Sequence, residues 1–257
     1  MSSIPTQLNL NEMSQSDLLD LAKAFQVLDE KKQYNKLDFV FPRYLANKEG
    51  YKKHLIFMKA GSIYKERALI AGNRTGKTYT SMAEVAFHVT GKYPEGWEGK
   101  RFEGPIEAWV VGKTHETTRD ILQKYLYGNY LDPGTGFIPR VDIIRKTTKS
   151  GIQDAVQDLY VQHYDEKGHK DGISHLSFKS YVQGIEAFMG AQVHVVGLDE
   201  EPPERGIYSE CVTRTMTTQG IILCTFTPLE GLSEVVLSFL PGGRFPMGGI
   251  GPVEEVL

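Results

Sequence analysis

The stretch Ala68–Met82, ALIAGNRTGKTYTSM, decides the fold. It opens as a short apolar run that reads as a buried strand and passes through a loop with glycines at 72 and 76. It closes on a helical pattern reaching Thr90, with Met82, Val85, Ala86 and Val89 facing inward. Strand, glycine loop and helix in that order are what a phosphate-binding loop requires. Backbone N–H groups turn inward around the anion, a lysine spans the terminal phosphates and a hydroxyl holds Mg²⁺. Gly76 lets the backbone approach closely, Lys77 is the phosphate lysine and Thr78 the metal-facing hydroxyl, all at the positive end of the helix that starts there. Gly72, Asn73, Arg74 and Thr75 complete the nucleotide-binding loop.

Two positions depart from the usual pattern. Ala71 stands where the first glycine is expected, which is tolerated if Ala71 ends the strand and Gly72 supplies the flexibility. Arg74 lies inside the loop, where a guanidinium can reach a transferring phosphoryl group. An arginine finger of this kind is worth about three to five decades in rate. Arg205 and Arg214 are the alternatives, acting within the chain or across a subunit boundary.

Downstream, VHVVGLDEE (193–201) delivers Asp199 to the carboxyl end of a buried strand, where it can hold Mg²⁺. Glu200 beside it can orient the attacking water and take up its proton. A third strand, GIILCTFTP (220–228), places Thr225 and Thr227 next to the Asp199 strand, a position from which a hydroxyl senses the terminal phosphate.

The surrounding chain alternates strands and helices, which predicts an α/β three-layer sheet. IEAWVVG (106–112) reads as a strand, followed by a helix from His115 to Tyr127 with Thr114 as N-cap. AVQDLYVQHY (155–164) and ISHLSFKSY (173–181) read as an antiparallel hairpin extending the sheet, with His163 and His169 on its solvated turn. Near the N-terminus, SQSDLLDLAKAFQVLDEKKQ (14–33) reads as an amphipathic helix with Leu18, Leu21, Phe25 and Leu28 on one face and Ser14 or Ser16 as N-cap. Pro42 is expected to break any helix around it, and Tyr51–Ala60 is helical until Gly61.

Composition sets bounds. The 257 residues are 40% apolar, enough for a core, and 29 basic against 32 acidic side chains give a net charge of −3, so there is no global basic field for nucleic acid. The two cysteines, Cys211 and Cys224, have neither disulfide-framework nor zinc spacing, which fits a reducing cytosol. No leader pattern and no run near eighteen apolar residues occurs, so neither export nor membrane spanning is expected.

Together AGNRTGKT (71–78), FKSYVQGIEAFMGAQ (178–192), VVGLDEEPP (195–203) and TFTPLEGLSEV (225–235) resemble the large terminase subunit of tailed bacteriophages. The resemblance implies a P-loop ATPase of the RecA-like additional-strand class, a mainly parallel sheet flanked by helices, with the acid strand beside an inserted strand. It implies ATP and Mg²⁺ as cofactors, with Lys77 and Thr78 on phosphates and metal, Asp199 on metal, Glu200 catalytic, Arg74 as the in-loop arginine and Thr227 in the coupling motif. An adenine-contacting glutamine is usual upstream of the loop; here KKHLIFMKAG (52–61) puts His54 at that nucleotide-binding place. The implied layout is an N-terminal helical or adapter segment (1–50), the ATPase core (51–240) and a Gly/Pro-rich linker or tail (241–257). The implied role is a motor that drives double-stranded DNA into a prohead, as a homo-oligomeric ring with a portal protein and a small terminase subunit in the host cytoplasm. Nothing in these residues matches the family's RNase H-like nuclease domain. A helicase-like ATPase and a non-catalytic nucleotide-binding assembly module are the alternatives.

Overall fold

The structure, a computed structural model, describes residues 14–23, 35–227 and 234–240. The chain divides into two compact units between Asn35 and Lys36. In the first, residues 15–23 form helix α1. Ser14 is its N-cap: the Ser14 hydroxyl accepts from the Asp17 N–H at 3.2 Å and donates to the Asp17 carboxylate at 2.7 Å. Leu18 is 39% exposed and Leu21 half-buried, while Phe25 and Leu28 lie outside the described residues.

The second unit runs α2 (Lys36–Ala46), α3 (Lys52–Lys59), β1 (Glu66–Ile70), α4 (Lys77–Thr90) and β2 (Glu107–Gly112). A continuous helical stretch follows, α5 (His115–Thr117), a π segment (Thr118–Gln123) and α6 (Lys124–Leu126), then a small ribbon of β3 (Gly128–Asn129) and β4 (Asp132–Pro133). After these come β5 (Ile143–Thr148), β6 (Val156–Tyr164), β7 (Lys170–Ser180), β8 (Val195–Asp199), α7 (Arg205–Met216), β9 (Ile221–Phe226) and α8 (Glu234–Ser238).

Seven strands form one sheet in the order β1-β9-β8-β2-β7-β6-β5. The first five are mutually parallel, and β6 and β5 continue antiparallel. The expected hairpin is therefore present, and β9 is the additional strand between the phosphate-loop strand and the acid strand.

Both faces of β2, β8 and β9 are buried, which explains why these strands read as largely apolar runs. Ala108, Val110, Val195, Ile221 and Leu223 face a core with Met82, Val85, Ala86 and Val89 of α4, as the helical pattern predicts. Trp109, Val111, Val196, Leu198, Ile222 and Cys224 face the opposite core with Ile207, Tyr208 and Cys211 of α7 and Val235 and Val236 of α8. Helix α4 approaches β8 so closely that a Cβ at Gly197 would lie 3.2 Å from Met82 Cε.

Two expectations fail. Pro42 sits inside α2 rather than breaking it. The helix loses one backbone bond, and burial of Leu37, Val40, Phe41 and Tyr44 outweighs that loss. His163 is not solvated but 1% exposed, turned inward on β6 with Nδ1 2.6 Å from Asp171; His169 does stay exposed. Both cysteines are free and buried. Among the described residues no helix is long and apolar enough to cross a membrane.

Candidate phosphate-loop site

Open α/β sheets bind ligands beyond the carboxyl ends of their strands. Here β1, β9 and β8 end side by side, so the phosphate loop, Thr227 and the pair Asp199–Glu200 meet at one rim. Ala71 directly follows β1, its N–H still reaching the Phe226 carbonyl at 3.4 Å. Gly72 is not where the loop needs a special backbone. The left-handed residues are Arg74 (φ 61) and Gly76 (φ 87), and a Cβ at Gly72 would meet nothing within 4 Å. The missing first glycine is harmless for this reason, not because Gly72 compensates. Gly76 is the N-cap of α4 and turns the chain into the helix.

The buried Lys77 lays its ammonium across the loop, donating to the carbonyls of Ala71 at 2.9 Å and Gly72 at 2.7 Å and to Thr227 Oγ1 at 3.0 Å. Thr227 in turn donates to Asn73 Oδ1 at 2.9 Å. Burial lowers the Lys77 pKa from its ordinary value, against the pull of Glu200 and Asp199. The residue that follows β9 thus touches Lys77 directly.

Asp199 is 7% exposed, and burial raises its pKa against hydrogen bonds from Thr78 and Thr225. Thr78 Oγ1 donates to Asp199 Oδ1 at 2.7 Å and Thr225 Oγ1 to the same oxygen at 3.0 Å. A helix-terminal hydroxyl against a strand-end carboxylate is an all-oxygen donor set of the kind that holds Mg²⁺ together with phosphate oxygens and water. No cluster of three or more His, Cys, Asp or Glu suits a metal among the described residues. The chemistry fits a metal bound mainly through substrate.

Glu200 projects from the rim with an exposed side chain and φ 64. Left-handed backbone costs a residue with a Cβ roughly 1–2 kcal/mol. Arg74 and Glu200, the two strained residues at this rim, are the two that the sequence marks for transition-state chemistry. Arg74 is exposed and makes no ion pair with another described residue. The alternatives are engaged: Arg205 with Glu234 at 3.0 Å and Arg214 with Glu210 at 2.9 Å. His54 packs behind the loop, its Nε2 2.9 Å from the Thr75 carbonyl and its ring against Tyr51 and Tyr44. It supports the loop from α3.

The model of the family described as "Terminase large subunit, T4likevirus-type, N-terminal" matches residues 68–244, the span from β1 through α8. The chain belongs to this terminase family. The large terminase subunit of Salmonella phage P22 is 38% identical over 247 residues, covering 90% of this chain and 47% of that protein. The chain therefore spans about half the length of that relative. Among solved structures, the large terminase ATPase domain of Thermus phage P74-26 is similar with TM-score 0.49 and 18% identity, over 74% of this chain and 69% of that one. The large terminase of a second thermophilic bacteriophage, in complex with ATP-gamma-S, gives TM-score 0.43 and 13% identity, over 68% and 37%.

In this terminase chain the sequence marks the loop, the acid pair and Thr227, and the structure brings them together. It also holds two groups that sequence patterns did not mark. Tyr181 donates to the Glu200 carbonyl at 2.8 Å. Arg67 and Glu84 form a buried ion pair that joins β1 to α4 directly behind the loop.

Proposed function

We propose that this chain is the ATP-hydrolysing motor domain of a viral DNA-packaging terminase, coupling hydrolysis to translocation of double-stranded DNA into a prohead. One observation carries the reading. Lys77, Thr227 and Asn73 form one hydrogen-bonded set and Thr78, Asp199 and Thr225 a second, and the two, joined through the consecutive residues Lys77 and Thr78, tie the phosphate loop to the acid strand and the coupling strand.

In this reading the N–H groups of residues 72–78 and the Lys77 ammonium bind the phosphates of ATP. Thr78 and Asp199 hold Mg²⁺, which when bound neutralises charge building on the transferring phosphoryl group. Glu200 orients water and accepts its proton. Arg74 stabilises the transition state, in its own subunit or a neighbour's. Thr227 is the sensor: the same hydroxyl faces Lys77 and Asn73, so a phosphate that draws the lysine away rearranges the end of β9. A homo-oligomeric ring, a portal protein, a small terminase subunit and a place in the host cytoplasm on the assembling particle belong to the same proposal, as does residues 241–257 acting as a linker. Nuclease activity is not assigned to these residues.

The test is steady-state phosphate release with nucleotide affinity measured beside it. Lys77→Ala is expected to lose binding, and Glu200→Gln to bind ATP near normally with turnover down at least a hundredfold. Unchanged turnover in both variants refutes the site. Tight binding with no turnover in the parent chain, with DNA and packaging partners present, favours the assembly module instead.

A further inference from the structure

Glu200 has to aim an exposed carboxylate from a backbone conformation that its residue type resists. Something must hold it there. Its N–H donates to the Thr225 carbonyl of β9 at 2.8 Å. Its C=O accepts the Tyr181 hydroxyl at 2.8 Å. One peptide plane on each side of the Glu200 Cα is therefore fixed, and with both planes fixed the direction of the Cα–Cβ bond is set. The side chain is steered from its backbone.

Tyr181 is built for this task. It follows β7, two strands from β8 in the sheet order, and its hydroxyl still meets the Glu200 carbonyl. The ring is 4% exposed and lies in the core with Trp109, Val111, Phe188 and Leu198. Phenylalanine would fill that volume equally well, so packing does not explain the hydroxyl. Its hydrogen bond goes to the left-handed residue's own carbonyl. Burial pushes the phenol well above its ordinary pKa, which keeps it a donor. The Tyr181 backbone is itself anchored: the Ser180 N–H donates to Gln183 Oε1 at 2.9 Å, and the Ser180 hydroxyl lies 2.7 Å from His115 Nδ1.

We infer that Tyr181 is a positioning residue for the water-activating carboxylate, its hydroxyl and the Thr225 carbonyl forming a two-sided clamp that holds Glu200 in its left-handed conformation. The inference rests on the ATPase reading of the same rim. It assigns a role to the segment FKSYVQG that neither phosphate binding nor metal binding uses.

Tyr181→Phe keeps the ring and removes the bond. In the full chain, kcat for ATP is expected to fall at least tenfold, while KM and the affinity for a fluorescent ADP analogue stay within twofold. Hydrogen exchange is expected to speed up in the peptide covering 196–204. In Tyr181→Phe/Glu200→Gln, turnover is expected to equal that of Glu200→Gln alone, since Tyr181 acts only through Glu200. A kcat within twofold of the parent in Tyr181→Phe, beside an inactive Glu200→Gln, overturns the clamp and leaves the site reading standing. A further drop in the double variant also overturns it, because the effect then runs through general stability. An active Glu200→Gln instead overturns the site reading itself. Should Tyr181→Phe fail to accumulate, 4-fluorophenylalanine at the same position gives the same two outcomes.

Discussion

Replacing Arg67 by Met tests the scaffold behind the phosphate loop. Arg67 leaves β1 four residues before the loop begins, and its side chain is 4% exposed. Its Nη2 lies 2.7 Å from Glu84 Oε1 on α4, Nη1 donates to the Phe57 and Met58 carbonyls of α3, and the guanidinium lies over the Phe57 ring at 4.8 Å. Glu84 is wholly buried and also meets His88, at 3.4 Å. Burial pushes the Glu84 carboxyl up, but Arg67 and His88 together hold it below its ordinary value. Removing the arginine leaves a carboxylate in the core, and breaking such a pair from one side costs about 3–5 kcal/mol. At about 2–4 °C per kcal/mol for a domain of this size, Tm is expected to fall by roughly 6–20 °C.

The pH dependence has a definite sign. In the parent, the lowered Glu84 pKa gives stability that is present above the ordinary value of 4.5 and lost as pH falls through the folded value. Burial likewise keeps His88 neutral in the fold, below its ordinary 6.5, so acid costs stability there too. In Arg67→Met, burial opposed only by His88 raises the Glu84 pKa relative to the parent, and the folded variant takes up a proton at a higher pH than the folded parent does. The deficit against the parent should therefore shrink between pH 7.5 and 5.5. Urea unfolding followed by far-UV circular dichroism at both pH values reads it, with Arg67→Met/Glu84→Met recovering most of the loss. A deficit below about 1 kcal/mol, or one that ignores pH, refutes the reasoning.

Two further outcomes follow from groups away from the rim. His175 bridges Asp158 at 3.1 Å and Glu107 at 2.7 Å, and these partners, Asp158 first, push its pKa up to about 10. Its stabilisation is complete below the unfolded value near 6.5 and lost as pH rises toward 10, so the parent's advantage over His175→Gln should narrow from pH 6.5 to 9.5 in denaturant titrations. Gly91 ends α4 at φ 70, and a Cβ there would sit 2.1 Å from the Tyr164 carbonyl. Gly91→Ala should cost at least the roughly 1–3 kcal/mol of a left-handed non-glycine residue, read as a lower urea midpoint at unchanged slope.

The phosphate loop was legible because its chemistry is local: Gly76, Lys77 and Thr78 act from consecutive positions. Strands β2, β8 and β9 were legible because burial on both faces leaves them largely apolar. Long-range effects hid the rest. Helix α2 survives Pro42 only through the core that its neighbours supply. Strand β5, IIRKTT, carries its charges on an edge, where they resemble a loop. Helix α7 has a glycine and several β-branched residues, so its apolar set Ile207, Tyr208 and Cys211 gives little periodic signal. Glu84 and His88 look like the polar face of α4 until Arg67 arrives from β1. The bond from Tyr181 to Glu200 spans 19 residues and two strand positions, which no spacing rule encodes.

The sheet order also sets a timetable for synthesis. Strand β1 pairs with β9, and Lys77 meets Thr227 across 150 residues of chain. At about 5–20 residues per second, a ribosome needs roughly eight to thirty seconds to get from one to the other. During that interval the nascent chain carries the loop's signature without its neighbouring strand, and β1 stands unpaired. On the proposed reading, nucleotide binding therefore arrives late, with the strand proposed to report on hydrolysis, and loop and sensor mature together.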